Sequence, residues 1–166
     1  MPRYLYLLRH AQSAEKQIGQ TDKDRELTPS GVKQSLRVAA FLLQQKTFPD
    51  AIVSSTANRT RATVSWICDA LKFDSEKIFY HEELYEASTR TLFKFLSQLE
   101  DDLHHVLCVG HNPAISYLAE YLTKREIGEM VPAGMAIIQF NIERWQHISE
   151  GTGELIKYVE PEFISI

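Results

Sequence analysis

Short apolar runs alternate along this chain with longer segments of helical period, and few architectures accept that alternation. Residues 4 to 8 (YLYLL), 51 to 54 (AIVS), 78 to 81 (IFYH) and 105 to 109 (HVLCV) read as strands. The first is apolar throughout, as expected of a strand covered on both faces. Between them lie segments with one apolar face, set by Val32, Leu36, Ala39 and Leu43, then by Val64, Ile67, Cys68 and Leu71, then by Leu92, Phe95, Leu96 and Leu99. Thr28 and Pro29 predict an N-cap and first helical position for a helix that ends before Pro49, and Asn112 and Pro113 predict the same pair for a helix burying Ile115, Leu118, Ala119 and Leu122. Repeated strand–helix units predict an α/β fold: a three-layer α/β/α sandwich on a mostly parallel central sheet. The pattern then changes. MAIIQFNI at 135 to 142 and ELIKYV at 154 to 159, separated by a Gly-containing turn region, predict antiparallel strands at the C-terminal end of the sheet.

No linker or low-complexity stretch interrupts this series, so residues 1–166 are expected to form a single domain, long enough to bury a real core. The net charge of −4 and the lack of any Lys/Arg run argue against nucleic acid as a partner, although a local cation cluster can still bind a small anion. The two cysteines, Cys68 and Cys108, sit inside apolar segments without metal-ligand spacing. His81, His104, His105 and His147 show no such spacing either, so no metal is expected. The apolar start is too short to span a membrane and lacks a cleavage pattern, so a cytoplasmic protein without membrane association is expected. Oligomeric state is not readable from these features. Trp66 and Trp145 are expected to be packing residues rather than a substrate platform.

Placing the polar residues on this scaffold concentrates them at one edge. Arg9 and His10 follow the first strand, Arg59 follows the second at the start of its helix, and His111 follows the fourth. Carboxyl ends of strands in an open α/β sheet are where ligands bind, and helix N-termini there favour anions. Two arginines and two histidines aimed at such a spot make a phosphate pocket, because a guanidinium fork can hold two phosphate oxygens at once. Singly, each residue would more simply be a surface cation or a core histidine. Jointly, three strand ends presenting cations point to one site. Arg61, two residues past Arg59, points elsewhere on the helix, and Ser13 reads as a loop hydroxyl bonded to its own backbone. Asp22, Asp24 and Glu26, interleaved with Lys23 and Arg25, read as a solvated segment.

Four motifs, LLRHAQS at 7–13, ELTPSG at 26–31, SSTANRT at 54–60 and CVGHNP at 108–113, occur in an order and spacing that resembles the histidine phosphatase superfamily, also called the phosphoglycerate mutase-like fold. The short length and the closing GTGELIKYVEPEF resemble its small phosphohistidine phosphatase branch, the SixA-like proteins. The resemblance implies that His10 is a nucleophile that takes up a phosphoryl group, that Arg9 and Arg59 bind phosphate, and that His111 completes the cationic cup. Most of the superfamily has Gly and then an acid after the nucleophile; here Ala11 and Gln12 stand there, a mild departure at Ala11.

The chemistry stands beside the resemblance. Phosphoryl transfer needs an in-line nucleophile and stabilised charge on the phosphoryl oxygens. A neutral imidazole can be that nucleophile, and the cations around it, acting as like charges, are expected to keep it unprotonated. A backbone carbonyl is expected to fix its other ring nitrogen. Water then hydrolyses the phosphohistidine, with no metal or organic cofactor required. An alkoxide leaving group also needs a proton donor. Glu86, in EELYEAS at 82–88, is the candidate, because larger phosphatases and mutases of this fold carry an acid there; Glu82 and Glu83 are alternatives, and all three also read as solvated loop carboxylates. Phosphohistidine makes a donor less necessary. The substrate is thus a phosphorylated protein or a small phosphoester. Two rival functions use the same pocket: a catalytically silent phospho-binding module, and a phosphoglycerate-type mutase, disfavoured by the short chain.

Overall fold

A computed structural model describes residues 1–165. Six strands form one sheet: β1 (Arg3–Arg9), β2 (Ala51–Ser55), β3 (Ile78–His81), β4 (His105–Gly110), β5 (Met135–Phe140) and β6 (Gly153–Val159). Its order is β3-β2-β4-β1-β5-β6, with β1 to β4 mutually parallel and β5 and β6 antiparallel. Helices α1 (Pro29–Gln44), α2 (Asn58–Leu71), α3 (Thr89–Leu96) and α4 (Ala114–Thr123) flank it.

Side-chain alternation along the central strands assigns the layers. On β1, Tyr6 and Leu8 face the core under α1 and α2, whereas Leu5 and Leu7 face the core under α3 and α4. On β4, Leu107 and Val109 take the first side and Val106 and Cys108 the second. Both strands are therefore buried on both faces, which explains their nearly unbroken apolar sequences. The three-layer architecture and the antiparallel end match expectation. Both cysteines are buried and free. Among the described residues no helix is long and apolar enough to cross a membrane.

Insertion of β4 between β1 and β2 positions the site. Parallel pairing sets Arg9 opposite Gly110, and His10 N–H donates to the Gly110 carbonyl at 3.1 Å, so the residues following β1 and β4 leave the sheet side by side. The segment after β2 leaves one strand further along the same edge.

Two local readings are corrected. The buried stripe of α1 runs through Gly31, Ser35, Val38, Ala39 and Leu42, while Leu36 and Leu43 are 38% and 43% exposed. The two candidate faces differ by one residue, a rotation of about 100°. Close packing decides between them: a Cβ on Gly31 would lie 2.2 Å from the Gln12 carbonyl oxygen, so this glycine must face the loop after β1. Asn112 is not the cap of α4, which starts at Ala114 after a cis Asn112–Pro113 bond. Its side chain is engaged tertiarily instead, donating to the Met130 carbonyl at 3.0 Å and accepting from Ser116 at 2.6 Å. Trp145 is fully buried, but Trp66 is 41% exposed on the outer face of α2. Thr28 does cap α1, accepting from Gly31 N–H at 3.0 Å.

Gly31→Ala should lower stability by about 1–3 kcal/mol, the usual cost of forcing a methyl into packed backbone, and should lower activity by displacing the loop that carries His10. Urea denaturation with parallel kinetic assays checks both; unchanged stability would show that the contact yields freely.

Candidate active site

His10 sits just beyond β1 and is 8% exposed. Its Nδ1 lies 2.7 Å from the Ala11 carbonyl oxygen. A carbonyl can only accept, so Nδ1 carries the proton and Nε2 presents a lone pair. The surrounding loop is held firmly. Ala11 is fully buried, and its N–H donates to Thr63 Oγ1, which donates to the Arg59 carbonyl one turn earlier in α2. The Ala11 methyl is therefore part of the core packing.

The ends of β1 and β4 and the first turn of α2 contribute to the cup. Arg9 leaves β1 and donates from Nη1 to the Met130 carbonyl at 2.7 Å. Arg59, in the first turn of α2, is 7% exposed. His111 follows β4, with its ring centroid 5.4 Å from that of His10 and its Nε2 2.7 Å from Ser55 Oγ. Two buried nitrogens, His111 Nδ1 and Arg9 Nε, have no partner among the described residues. Arg9 Nε–H is a donor, and His111 Nδ1 is one in the tautomer whose Nε2 accepts from Ser55 Oγ; unpaired buried donors are costly and suit an anion.

The electrostatics favour neutral imidazoles. Burial pushes His10 down to about 3; its bond to Ala11 opposes this, and His111, Arg59 and Arg9 add like-charge repulsion. Burial is thus the main cause, ahead of the neighbouring cations to which the sequence reading assigned the effect. His111 is lowered to about 4, by burial first and by Arg59 second.

The segment read as solvated closes the cup. Asp22 meets Arg59 twice: its carbonyl accepts from Nη1 at 2.8 Å and its carboxylate from Nη2 at 3.0 Å. Tyr85 O–H donates to the same carboxylate at 2.7 Å, and its ring packs edge-on against His111 at 5.8 Å. Arg25 braces the segment through Asp22, the Ala14 carbonyl and Ser13 Oγ, so Ser13 accepts a tertiary bond instead of closing on its own backbone. Lys23 pairs with Glu82, which also accepts from Thr56 at 2.5 Å.

Arg9, His10, Arg59 and His111 are therefore brought together. Glu86 is exposed, in left-handed backbone at φ 55°, and acts on the neighbouring Tyr85 by charge without a hydrogen bond into the cup among the described residues. Glu82 is committed to Lys23 and Thr56, and Glu83 is exposed. Arg61 bonds the Thr56 carbonyl and stacks on Tyr80 at 4.1 Å, away from the cup. Asp22, Tyr85 and Ser55 were not identified from sequence; only Tyr85, an aromatic set among the acids of EELYE, carried a visible signal. Among the described residues no group of three or more His, Cys, Asp and Glu is placed to hold a metal ion.

The family model of the histidine phosphatase superfamily (branch 1) matches residues 5–92, more than half of the chain. The chain belongs to the histidine phosphatase superfamily. Within it, the chain resembles the SixA proteins: the proposed phosphohistidine phosphatase SixA from Agrobacterium tumefaciens superposes with a TM-score of 0.79 at 27% identity, covering 96% of this chain and 98% of that one. The protein histidine phosphatase SixA complexed with tungstate shares the fold, with a TM-score of 0.83 at 22% identity over 98% and 99% of the two chains. An uncharacterised protein of Mycobacterium tuberculosis is 29% identical over 165 residues, 93% of this chain and 99% of its own. This histidine phosphatase membership and the SixA likeness support phosphatase activity.

The depressed histidines make a stability prediction. Unfolded imidazoles take up protons below their ordinary value of 6.5, whereas the folded His10 and His111 refuse them until about 3 and about 4. The unfolded state then binds more protons, so stability present above pH 6.5 falls as the pH drops through that window. The urea midpoint should decline from pH 7 to pH 4, and less steeply in His10→Asn; parallel slopes would remove His10 from the effect.

Proposed function

We propose that this protein hydrolyses a phosphomonoester or a protein phosphohistidine through a covalent phosphoryl intermediate on His10. The observation that carries the reading is the 2.7 Å bond from His10 Nδ1 to the Ala11 carbonyl, which leaves Nε2 unprotonated in a buried ring surrounded by cationic donors. In the first step Nε2 attacks phosphorus, the P–Nε2 bond forms, and the leaving group departs in line with the electron pair of its old bond. The Ala11 carbonyl stabilises the N–H of the ring, which becomes cationic on phosphorylation. In the second step water attacks phosphorus, the P–Nε2 bond breaks, and orthophosphate leaves.

Arg59 keeps capacity for this work despite its contacts with Asp22. Each terminal guanidinium nitrogen bears two hydrogens and spends one on Asp22, so one from each remains for phosphoryl oxygens. Arg9 supplies further charge and hydrogen bonding where negative charge develops, and His111 Nδ1, without a partner among the described residues, adds a hydrogen bond in the tautomer whose Nε2 accepts from Ser55 Oγ. The likeness to the Agrobacterium SixA protein supports phosphohistidine as the substrate.

Turnover of p-nitrophenyl phosphate and of a phosphohistidine peptide tests this. His10→Ala should abolish both, and Arg59→Ala should reduce both by roughly 10²- to 10³-fold with an unchanged circular dichroism spectrum. Turnover surviving His10→Ala would exclude the nucleophile. Wild-type binding of the phosphopeptide without turnover would favour a silent phospho-binding module, and interconversion of 2- and 3-phosphoglycerate a mutase.

A further inference from the structure

The cup has a deep wall and an outer rim with different chemistry. His10 and Arg59 are buried, whereas the Asp22 side chain is 44% exposed against 8% for that of Arg59. In-line displacement places the leaving group opposite the nucleophile. With His10 at the bottom, the leaving group must point outward, past the rim that Asp22 and Tyr85 form.

The state of that rim carboxylate is well determined. It accepts from Tyr85 O–H at 2.7 Å, from Arg59 Nη2 at 3.0 Å and from Arg25 Nη1 at 3.1 Å. All three partners donate, and each favours the charged form. Tyr85, Arg25 and Arg59 together hold Asp22 far below the ordinary carboxylate range, and the Tyr85 phenol is correspondingly pushed up to about 12, so it keeps its proton. Neither group is disposed to surrender a proton at neutral pH. Of the other carboxylates of this region, Glu86 acts on the Tyr85 phenol by charge but makes no hydrogen bond into the cup among the described residues, and Glu82 is held by Lys23 and Thr56. The hydrogen-bonded rim therefore offers a departing group a fixed negative charge in the Asp22 carboxylate.

Leaving groups respond oppositely to such a rim. An alkoxide departs with the electron pair of the broken P–O bond and needs a proton. A phosphohistidine protonated on its other ring nitrogen needs none: the P–N bond breaks, the pair returns to nitrogen, and neutral imidazole leaves with its N–H intact while the phosphoryl group passes to His10 Nε2. Before transfer that ring is an imidazolium, and its outward N–H is a charge-assisted donor matched to a carboxylate.

Building on the phosphatase reading above, we propose that Asp22 is the specificity-determining residue of this site: its carboxylate, fixed by Arg59, Arg25 and Tyr85, accepts from the N–H of a phosphoimidazolium substrate and so selects phosphohistidine over alkyl phosphoesters. A segment that looks like ordinary solvated charge thereby sets the substrate class.

The test compares kcat/KM for a phosphohistidine peptide and for the same peptide carrying phosphoserine. Wild type should prefer phosphohistidine, and Asp22→Asn should lower the preference ratio by roughly 10- to 100-fold, the worth of one hydrogen bond to a charged group. Asp22→Glu, which keeps the charge, should recover part of the ratio, and thermal melts establish that each variant folds. Equal losses on both substrates would reduce Asp22 to a support for Arg59 and overturn the proposal. A larger loss on phosphoserine would make Asp22 a general acid and overturn it too, as would a wild type that prefers phosphoserine. Wild type inert on both substrates would instead sink the phosphatase reading itself, and the selectivity proposal with it.

Discussion

The hydrogen bond from His10 Nδ1 to the carbonyl of Ala11 is the contact on which the remaining site geometry turns. It assigns the ring tautomer, and with it the direction in which the lone pair points. A bond between adjacent residues holds its geometry only if the backbone between them is immobile. Here the Ala11 side chain is buried in the core, its N–H is bonded to Thr63 on α2, and the next peptide is pressed against Gly31 on α1. Two helices thus fix one imidazole, and the small residue at position 31 is required by the closeness of that contact.

Around this fixed ring the protein assembles a positive site in a chain of net charge −4. Parallel pairing of β1 with β4 and of β4 with β2 brings Arg9, His111 and Arg59 to one edge. Gathering such groups in a partly dry cup costs solvation, and the structure offsets it unevenly. His10 and His111 give up their charge, mainly through burial. Arg59 is paired with Asp22. Arg9 Nε and His111 Nδ1 have no partner among the described residues. This division leaves donors for a phosphoryl group and one carboxylate at the exit.

What could be read from sequence follows the range of the interactions involved. Strand and helix order was legible because burial on both faces writes itself into runs such as YLYLL and HVLCV. The cationic edge was legible because strand ends are local features and three of them carried cations. The buried face of α1 was not, since two apolar stripes one residue apart score alike and the choice is made by Gly31 against Gln12. Asn112 looked like a helix cap, but its partners are Met130 and Ser116. Asp22 was hidden most fully: it lies among alternating charges, and its partners Arg59 and Tyr85 stand 37 and 63 residues away. Interactions over such separations leave no local pattern.

Rapid alkaline quenching during turnover of a phosphohistidine peptide, followed by mass spectrometry of the peptide that contains His10, tests the central claim most directly. The account predicts an acid-labile phosphoryl group on His10 that appears before orthophosphate and decays with it. Orthophosphate released at full rate with no phosphoryl group ever detectable on His10, or with the group on another residue, would contradict it.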